Sequence, residues 1–556
     1  MNDVRITYSL GEYRDAVNSA LQKLREDNII ERIWAKDYTV WKPAPDEIVN
    51  RLGWLDAPAE TLAKVNYIRA AIAPFTKGSI SDVVLLGMGG SSLAAEVFGR
   101  IFGSATGYPN LRIADTTDPL LISQLTQSLN LEKTLFLVSS KSGTTLEITS
   151  LFKYFYNLAF QKSGWDAGKM FAFITDEGSP LIKIAENISA YHIFLSNPDI
   201  GGRYSALSFP GIVPAAIIGV DVEKILKSAT DASQAEKQNY QAAFLGATLG
   251  TLALKGRDKP TFIMPPHWMV FGEWLEQLIA ESTGKEGKGI LPVLDEPLAD
   301  PRVYGKDRLF VIFQNKQEKN KNTTALVQAG HPVITIRLDD DYDLGGQMYI
   351  WEMAIAVSGH ILNINPFIQP AVEAAKKYAR SIIAQYREKK ELQPGKAALT
   401  TDQCDVYGAS SGSTPAEVLK NFLGQAHVFD YVCLQVYLSP TPEVDEALRK
   451  LRKTIFTKHG IAVTIGYGPR YLHSTGQLHK GDSGNGLFIQ LTEDNSLDID
   501  IPDDIGKEKS SLTFGTLKAA QAQGDMQALI DAGRRIIRFH FRTNPSSGLK
   551  KLTEFF

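Results

Sequence analysis

Two hydroxyl-rich turns stand where strand-like runs give way to helix-like ones. Gly87-Met88-Gly89-Gly90-Ser91-Ser92 follows the apolar run Val83 to Leu86, and Ser139-Ser140-Lys141-Ser142-Gly143-Thr144-Thr145 follows Leu135 to Val138. The first N–H groups of a helix lack intrahelical partners and carry the positive end of its dipole, and serine and threonine hydroxyls add donors. Each turn is therefore an anion site, and the pair predicts a phosphate held between neighbouring strand ends. In a Gly-x-Gly-x-x-Gly frame the third glycine position is Ser92, and neither turn contains Gly-x-x-x-x-Gly-Lys-Ser/Thr. That argues against a dinucleotide fingerprint and a P-loop. Hydroxyl-rich loops without a magnesium-binding pattern suit a phosphomonoester better than a triphosphate.

Other residues have the chemistry to act on such a ligand. Arg203, in Gly201-Gly202-Arg203-Tyr204-Ser205, follows the last strand-like run of the same alternation. The paired glycines admit a close backbone approach, and a guanidinium there can stabilise a developing oxyanion. Glu281 ends a helix whose buried stripe is Trp268, Phe271, Leu275 and Leu278, just before Gly284. A carboxylate partly desolvated at such a break can act as a general base, although an arbitrary helix-end glutamate is more often simply solvated. Lys377 has Glu373 four residues back, an ordinary surface pair, whereas Lys376 has Val372 there. Lys376 thus borders an apolar stripe with no helix-borne anion at that spacing, free either to snorkel or to reach a ligand. Among the histidines, His473 and His479 stand out in a glycine-flanked run from Tyr471 to Gly481, and His479 is placed near a turn ahead of a strand. No cysteine, histidine or carboxylate spacing resembles a zinc site, and there is no Gly-x-Ser-x-Gly elbow.

These residues need an α/β scaffold, and the chain supplies the pattern. Residues 1–75 read as helical, with apolar positions at Tyr13, Val17, Leu21 and Leu24 and then Trp34, Trp41 and Trp54. Strands are expected at Asp82–Leu86, Leu111–Ala114, Thr134–Val138, Met170–Thr175 and Tyr191–Leu195, alternating with helices across 76–222. Such alternation predicts a doubly wound parallel sheet with ligands at the carboxyl ends of its strands. A second alternating unit covers 223–395, with strands at Thr261–Met264, Leu309–Phe313 and Val333–Ile336 and helices near 345–362 and 371–389. A Gly/Ser/Thr/Asp-rich connection, Pro394 to Pro415, leads into 396–556. There strands are expected at Tyr431–Leu438, Ile461–Tyr467 and Leu487–Leu491 around a helix at 443–457, with 511–540 mainly helical.

Composition sets the broad class. The 556 residues are too many for one core. At 44% hydrophobic and 22% charged, with a formal net charge of −3, the chain shows no basic excess for nucleic acid. The longest apolar stretch, around Ile212 to Val220, is well short of a membrane span, and Met1 to Arg5 lack the apolar core of a secretory signal. Cys404 and Cys433 read as free thiols of a reducing compartment. A cytoplasmic protein with neither nucleic-acid nor membrane partners is expected.

Taken together, Gly87–Ser92, Ser140–Thr145, Gly201–Ser205, Glu281–Lys285 and Asn365-Pro366-Phe367-Ile368-Gln369-Pro370-Ala371-Val372-Glu373-Ala374-Ala375-Lys376 resemble the glucose-6-phosphate isomerases. These are built from two sugar-isomerase (SIS) domains, and the chain is most similar to the isomerase portion of bacterial transaldolase/isomerase fusions. The resemblance implies two SIS-type doubly wound domains, a helical N-terminal region, and an α/β C-terminal extension that completes the second sheet. It implies reversible isomerisation of glucose 6-phosphate and fructose 6-phosphate through a cis-enediol(ate), without metal or cofactor, in glycolysis and gluconeogenesis. Gly90, Ser91, Ser140, Lys141, Ser142 and Thr145 would hold the phosphate, with Gln369 near the substrate. Glu281 would move the proton between C2 and C1, Arg203 would stabilise the enediolate, and Lys376 would help open the ring. The family's ring-opening histidine precedes the lysine motif, where this chain offers only Gln328 and His331. The turn Gly476 to Gly481 resembles it better, so His479 is assigned that role, with His331 as the alternative. A homodimer, or a transaldolase partner or domain, is the partner such a chain would have. The competing readings are a dual phosphoglucose/phosphomannose isomerase and a non-catalytic phosphosugar-binding SIS protein.

Overall fold

A computed structural model describes residues 6–553, apart from 77, 316–320, 393–394 and 410. Met1 to Arg5, read above for a signal, and Pro394 and Ser410 of the expected connection lie outside the described residues. The chain starts with a strand, β1 (Ile6–Ser9), before the helices expected for the N-terminal region begin with Arg14–Glu26. Val17, Leu21 and Leu24 are the buried positions of that helix, as their spacing requires.

The first α/β unit contains β2 (Asp82–Leu86), β3 (Asn110–Ala114), β4 (Thr134–Ser139), β5 (Phe171–Asp176) and β6 (His192–Ser196). All pair in parallel, in the order β3-β2-β4-β5-β6. β2 and β4 are buried at every position, which is why they read as continuous apolar runs rather than alternating ones. From β2 the chain crosses to β3 on one side and returns to the other side for β4. A crevice therefore opens at the carboxyl ends of β2 and β4, where both hydroxyl-rich turns begin.

The second unit pairs β7 (Lys259–Ile263), β8 (Arg308–Asn315) and β9 (Val333–Leu338) in parallel. β1 adds to its edge antiparallel, with Ile6 opposite Ile336. Its helices Asp343–Ile361 and Val372–Lys389 lie close to the expected spans.

The C-terminal third does not complete this sheet; it builds another. Its strands are β10 (Leu399–Thr400), β11 (Cys404–Tyr407), β12 (Tyr431–Tyr437), β13 (Ala462–Tyr467) and β14 (Gly486–Glu493). A two-stranded ribbon, β15 (Asp500–Pro502) and β16 (Ser510–Thr513), precedes β17 (Arg535–Phe541). The six-stranded order is β10-β11-β17-β14-β12-β13. The reason lies in the second sheet's edges, both of which are taken. β1 covers β9, and the segment 290–293 covers β7: the Phe262 N–H donates to the Val293 carbonyl at 3.0 Å, and the Val293 N–H to Pro260 at 2.9 Å. The extension covers a face instead, with Leu448, Leu451 and Ile455 of the helix Pro442–His459 sharing a core with Phe310, Ile312 and Val333. Within 511–540 only Phe514–Asp531 is helical; the run after it is β17, whose Ile537, Phe539 and Phe541 enter the same core.

Candidate active site

The helix Met269–Thr283 buries Trp268, Phe271, Leu275 and Leu278 and thereby fixes where Glu281 emerges. The Arg203 guanidinium, itself buried, lies 3.1 Å from the Glu281 carboxylate. Arg203 Nε donates to Ser282 Oγ at 2.8 Å, Nη1 to Gln369 Oε1 at 3.1 Å, and Nη2 to the carbonyls of Pro366 at 2.6 Å and Ile368 at 3.2 Å. One side chain thus ties the base helix to the segment that carries Gln369. Lys285 reinforces it, donating to the Ile368 carbonyl at 2.6 Å. Burial, with Arg203 beside it, pushes the Lys285 ammonium well below the ordinary lysine range.

The first hydroxyl-rich turn presses against this group. A Cβ on Gly90 would lie 2.0 Å from the Gly202 carbonyl oxygen, so only glycine allows the two turns to touch backbone to backbone. Gly89, at φ +54°, lies where a Cβ would meet Gln277 Nε2 at 2.8 Å and the His473 carbonyl at 2.9 Å. Gln277 Nε2 donates to Glu281 Oε2 at 3.0 Å and to the His473 carbonyl at 2.8 Å. The base, the first turn and a turn of the C-terminal unit therefore meet at one point.

The His473 imidazole reaches the other hydroxyl-rich turn. Its Nε2 lies 2.9 Å from Oε1 of Glu147, in the first turn of the helix Leu146–Ser163 that the second loop opens. Gln521 Nε2 donates to the same oxygen at 2.7 Å, and Thr117 Oγ1 donates to Gln521 Oε1 at 2.9 Å. Burial alone would raise the Glu147 carboxyl; the charge and hydrogen bond of His473, with Lys376 nearby, outweigh it and hold the group below the usual range. In the loop, the Gly143 N–H donates to Ser140 Oγ at 3.1 Å and the Thr144 N–H to Ser142 Oγ at 3.3 Å. The N-cap Thr145 makes no side-chain cap bond.

A carboxylate beside a guanidinium, an imidazole on a carboxylate, and two anion-binding turns are the parts of a proton-transfer site for a phosphorylated substrate. The family model for phosphoglucose isomerase matches residues 64–288. The glucose-6-phosphate isomerase of Clostridium tetani is 28% identical over 410 residues, covering 62% of this chain and 89% of that protein. That of Staphylococcus epidermidis is 30% identical over 398 residues, with 62% and 89% covered. The chain belongs to the phosphoglucose isomerase family. Among solved structures, a hypothetical protein of Thermus thermophilus has a TM-score of 0.58 at 25% identity, covering 68% of this chain and 100% of that one. A glucose-6-phosphate isomerase of Chlamydia trachomatis shares the fold, with a TM-score of 0.57 at 18% identity over 69% of this chain and 89% of that one.

Against this phosphoglucose isomerase frame, the structure brings together Arg203, Glu281, Gln369 and Gly90 of the residues selected from sequence. Ser91 and Lys141 line a small cavity at the carboxyl ends of the first sheet, together with Ser139, Asp176 and Gly202. The Lys141 ammonium is engaged there, paired with Asp176 and donating to the Pro198 carbonyl at 2.7 Å. Lys376 is half-exposed, 2.9 Å from Glu373, and close enough to Glu147 to act on its charge. His479 is not at the cleft. It is fully buried, 3.4 Å from Gln435 through Nδ1 and between the rings of Tyr471 and Phe488. Burial, with Lys480 and Arg534 nearby, holds it far below the ordinary histidine range. His331 lies before the amino end of β9, its Nε2 2.8 Å from the Pro301 carbonyl, away from the strand ends that carry the site. His473, passed over in favour of His479, is the histidine at the cleft. Glu147 and Gln277 were missed. For Glu147 one signal was available: it stands two residues after the second hydroxyl-rich turn and has Leu151, not a cation, four residues on.

Proposed function

We propose that this chain interconverts glucose 6-phosphate and fructose 6-phosphate through a cis-enediol(ate), with Glu281 as the base, Arg203 as the oxyanion partner and His473 as the ring-opening group. The observation that carries this reading is the 3.1 Å approach of the Arg203 guanidinium to the Glu281 carboxylate. A reacting carbon held beside the carboxylate is then also beside the positive charge. Glu281 takes the proton from C2 of the open aldose, and the C2–H electron pair becomes the C1–C2 double bond. The carbonyl pair moves onto O1, where Arg203 meets the charge. The hydroxyl proton passes from O2 to O1; as the O2 pair forms the carbonyl at C2, the C1–C2 double-bond pair takes the proton back from Glu281 at C1 and completes the ketose.

Ring opening comes first and uses the other side of the cleft. His473, held by Glu147 at 2.9 Å, gives a proton to the ring oxygen as the C1–O5 bond breaks, and the anomeric hydroxyl, steadied by Lys376, gives its proton to water as its pair forms the C1 carbonyl. Ser91, Ser140, Ser142 and Thr145, with Gly90 and the helix start after Thr145, hold the phosphate several carbons away. That binding energy positions C1 and C2. A cytoplasmic enzyme is the reading that its water-soluble sugar phosphate substrates support.

The assignment is tested by exchange NMR of glucose 6-phosphate anomers with His473→Ala and His479→Ala. His473→Ala is expected to lose anomerisation by on the order of 100-fold, the scale of one general acid–base group. His479→Ala is expected to retain it once corrected for folded protein. The reverse order returns the role to His479.

A further inference from the structure

Three residues before His473, in the same short turn, a partly buried guanidinium joins the C-terminal unit to the two helices that frame the cleft. Arg470 pairs with Glu96, with Asp115 at 3.4 Å and with Glu273 at 2.8 Å. Glu96 is on the helix Leu93–Phe102 launched by the first hydroxyl-rich turn, and Asp115 follows β3. Glu273 is on the helix that ends in Glu281. Arg100 is the other cation of the cluster, 3.6 Å from Glu96 and 3.4 Å from Glu273, but it is largely exposed. Ser474, on the far side of His473, adds a weaker tie, its Oγ 3.4 Å from Glu276 of the same helix.

We propose that Arg470 is a positioning residue for ring opening: its ion pairs with Glu96, Asp115 and Glu273 seat the His473 turn against the cleft. The proposal rests on the ring-opening role given to His473. The His473 side chain itself has one polar contact, Glu147, and its carbonyl is held by Gln277. Those bonds hold the ring at the second hydroxyl-rich turn and the carbonyl at the base helix, but neither engages the helix launched by the first turn or the end of β3, which Arg470 does. A guanidinium can bind several carboxylates in fixed directions, which a lysine's point charge does less well. Losing it leaves the buried Asp115 and the partly buried Glu96 and Glu273 without their shared cation and frees the turn. Glu281 keeps its pair with Arg203, and Arg203 its bonds to Ser282, Gln369, Pro366 and Ile368, none of which involves this turn.

The test compares Arg470→Met, Arg470→Lys and His473→Ala by two rates: anomerisation of glucose 6-phosphate, which needs ring opening, and isomerisation of erythrose 4-phosphate, which cannot close a six-membered ring. Arg470→Met is expected to lose anomerisation by on the order of 100-fold, the cost of displacing a positioned group by about 1 Å. It is expected to keep the acyclic rate within about twofold, with Arg470→Lys between it and the wild type. If Arg470→Met fails to fold, Arg470→Lys carries the test with the same selective loss. Anomerisation retained by a folded Arg470 variant, or an equal loss of both rates, overturns the proposal. His473→Ala separates the two failures: if it anomerises normally, the ring-opening assignment falls and takes the Arg470 role with it. If it does not, while the Arg470 variants do, only the Arg470 role falls.

Discussion

Glu276, partly buried on the helix that ends in Glu281, gives that helix an acid–base liability. Burial, with Glu273 beside it, raises its carboxyl to about 7 from 4.5. Between those values the unfolded chain is ionised there and the folded chain still holds the proton, so stability falls as pH rises from about 4.5 to about 7 and then levels off. Glu276→Gln removes that slope. Its melting temperature is expected to decline less than the wild type's between pH 5 and pH 8, with a gain at pH 8 of about 3 kcal/mol at most. Parallel melting curves for the two proteins would show that Glu276 is not the group responsible. At this scale the sequence made Glu281 and Arg203 readable, because each stands at a break that aims it: a helix end, and a glycine pair after a strand. It could not separate His473 from His479. Both lie in one glycine-flanked run, and the choice depends on where the turn Arg470–His473 gives way to the short helix Gly476–Gly481. That helix turns His479 inward onto Phe488.

The helices Val372–Lys389 and Phe514–Asp531 pack against each other at a glycine. A Cβ on Gly524 would stand 2.8 Å from the Ala379 nitrogen and 3.0 Å from the Ala375 oxygen. Lys376 is the next residue along, so this contact sets how far its helix stands from the cleft. Gly524→Val must push the helices apart, at a cost of about 1–3 kcal/mol for overpacking. It is expected to lower the melting temperature and to lower kcat for fructose 6-phosphate. An unchanged melting temperature would mean that the two helices part freely. Elements buried on both faces, such as β2, β4, β8 and β12, were legible as apolar runs. β1 and β17 were not: β1 is a short edge strand with alternating exposure, and β17 interleaves arginine and histidine with its apolar positions.

Across the whole molecule, the C-terminal sheet has a crevice of its own, and one residue of the first unit, Asp118, bonds at its edge. In the order β13-β12-β14, the chain switches sides at β12, so the opening lies beyond the carboxyl ends of β12 and β14. Asp118, which caps the helix Pro119–Ser128, accepts there from Ser439 Oγ at 2.8 Å and from Lys518 Nζ at 2.8 Å. A position that binds ligands in other open sheets serves here for docking, and docking delivers His473 and Arg470 to the first unit. No local pattern could announce this, because the partners are separated by hundreds of residues and the extension was free to pair with either edge of the second sheet until β1 and 290–293 had taken both. The central claim is that this chain moves a proton between C2 and C1 through Glu281. Its most direct test is turnover of fructose 6-phosphate to glucose 6-phosphate, read through a coupled dehydrogenase, for the wild type and Glu281→Gln. The wild type should convert the ketose and Glu281→Gln should be slower by about 100-fold to 10,000-fold, the range of a lost general base. Equal rates for the two proteins, or no turnover by the wild type, would contradict it.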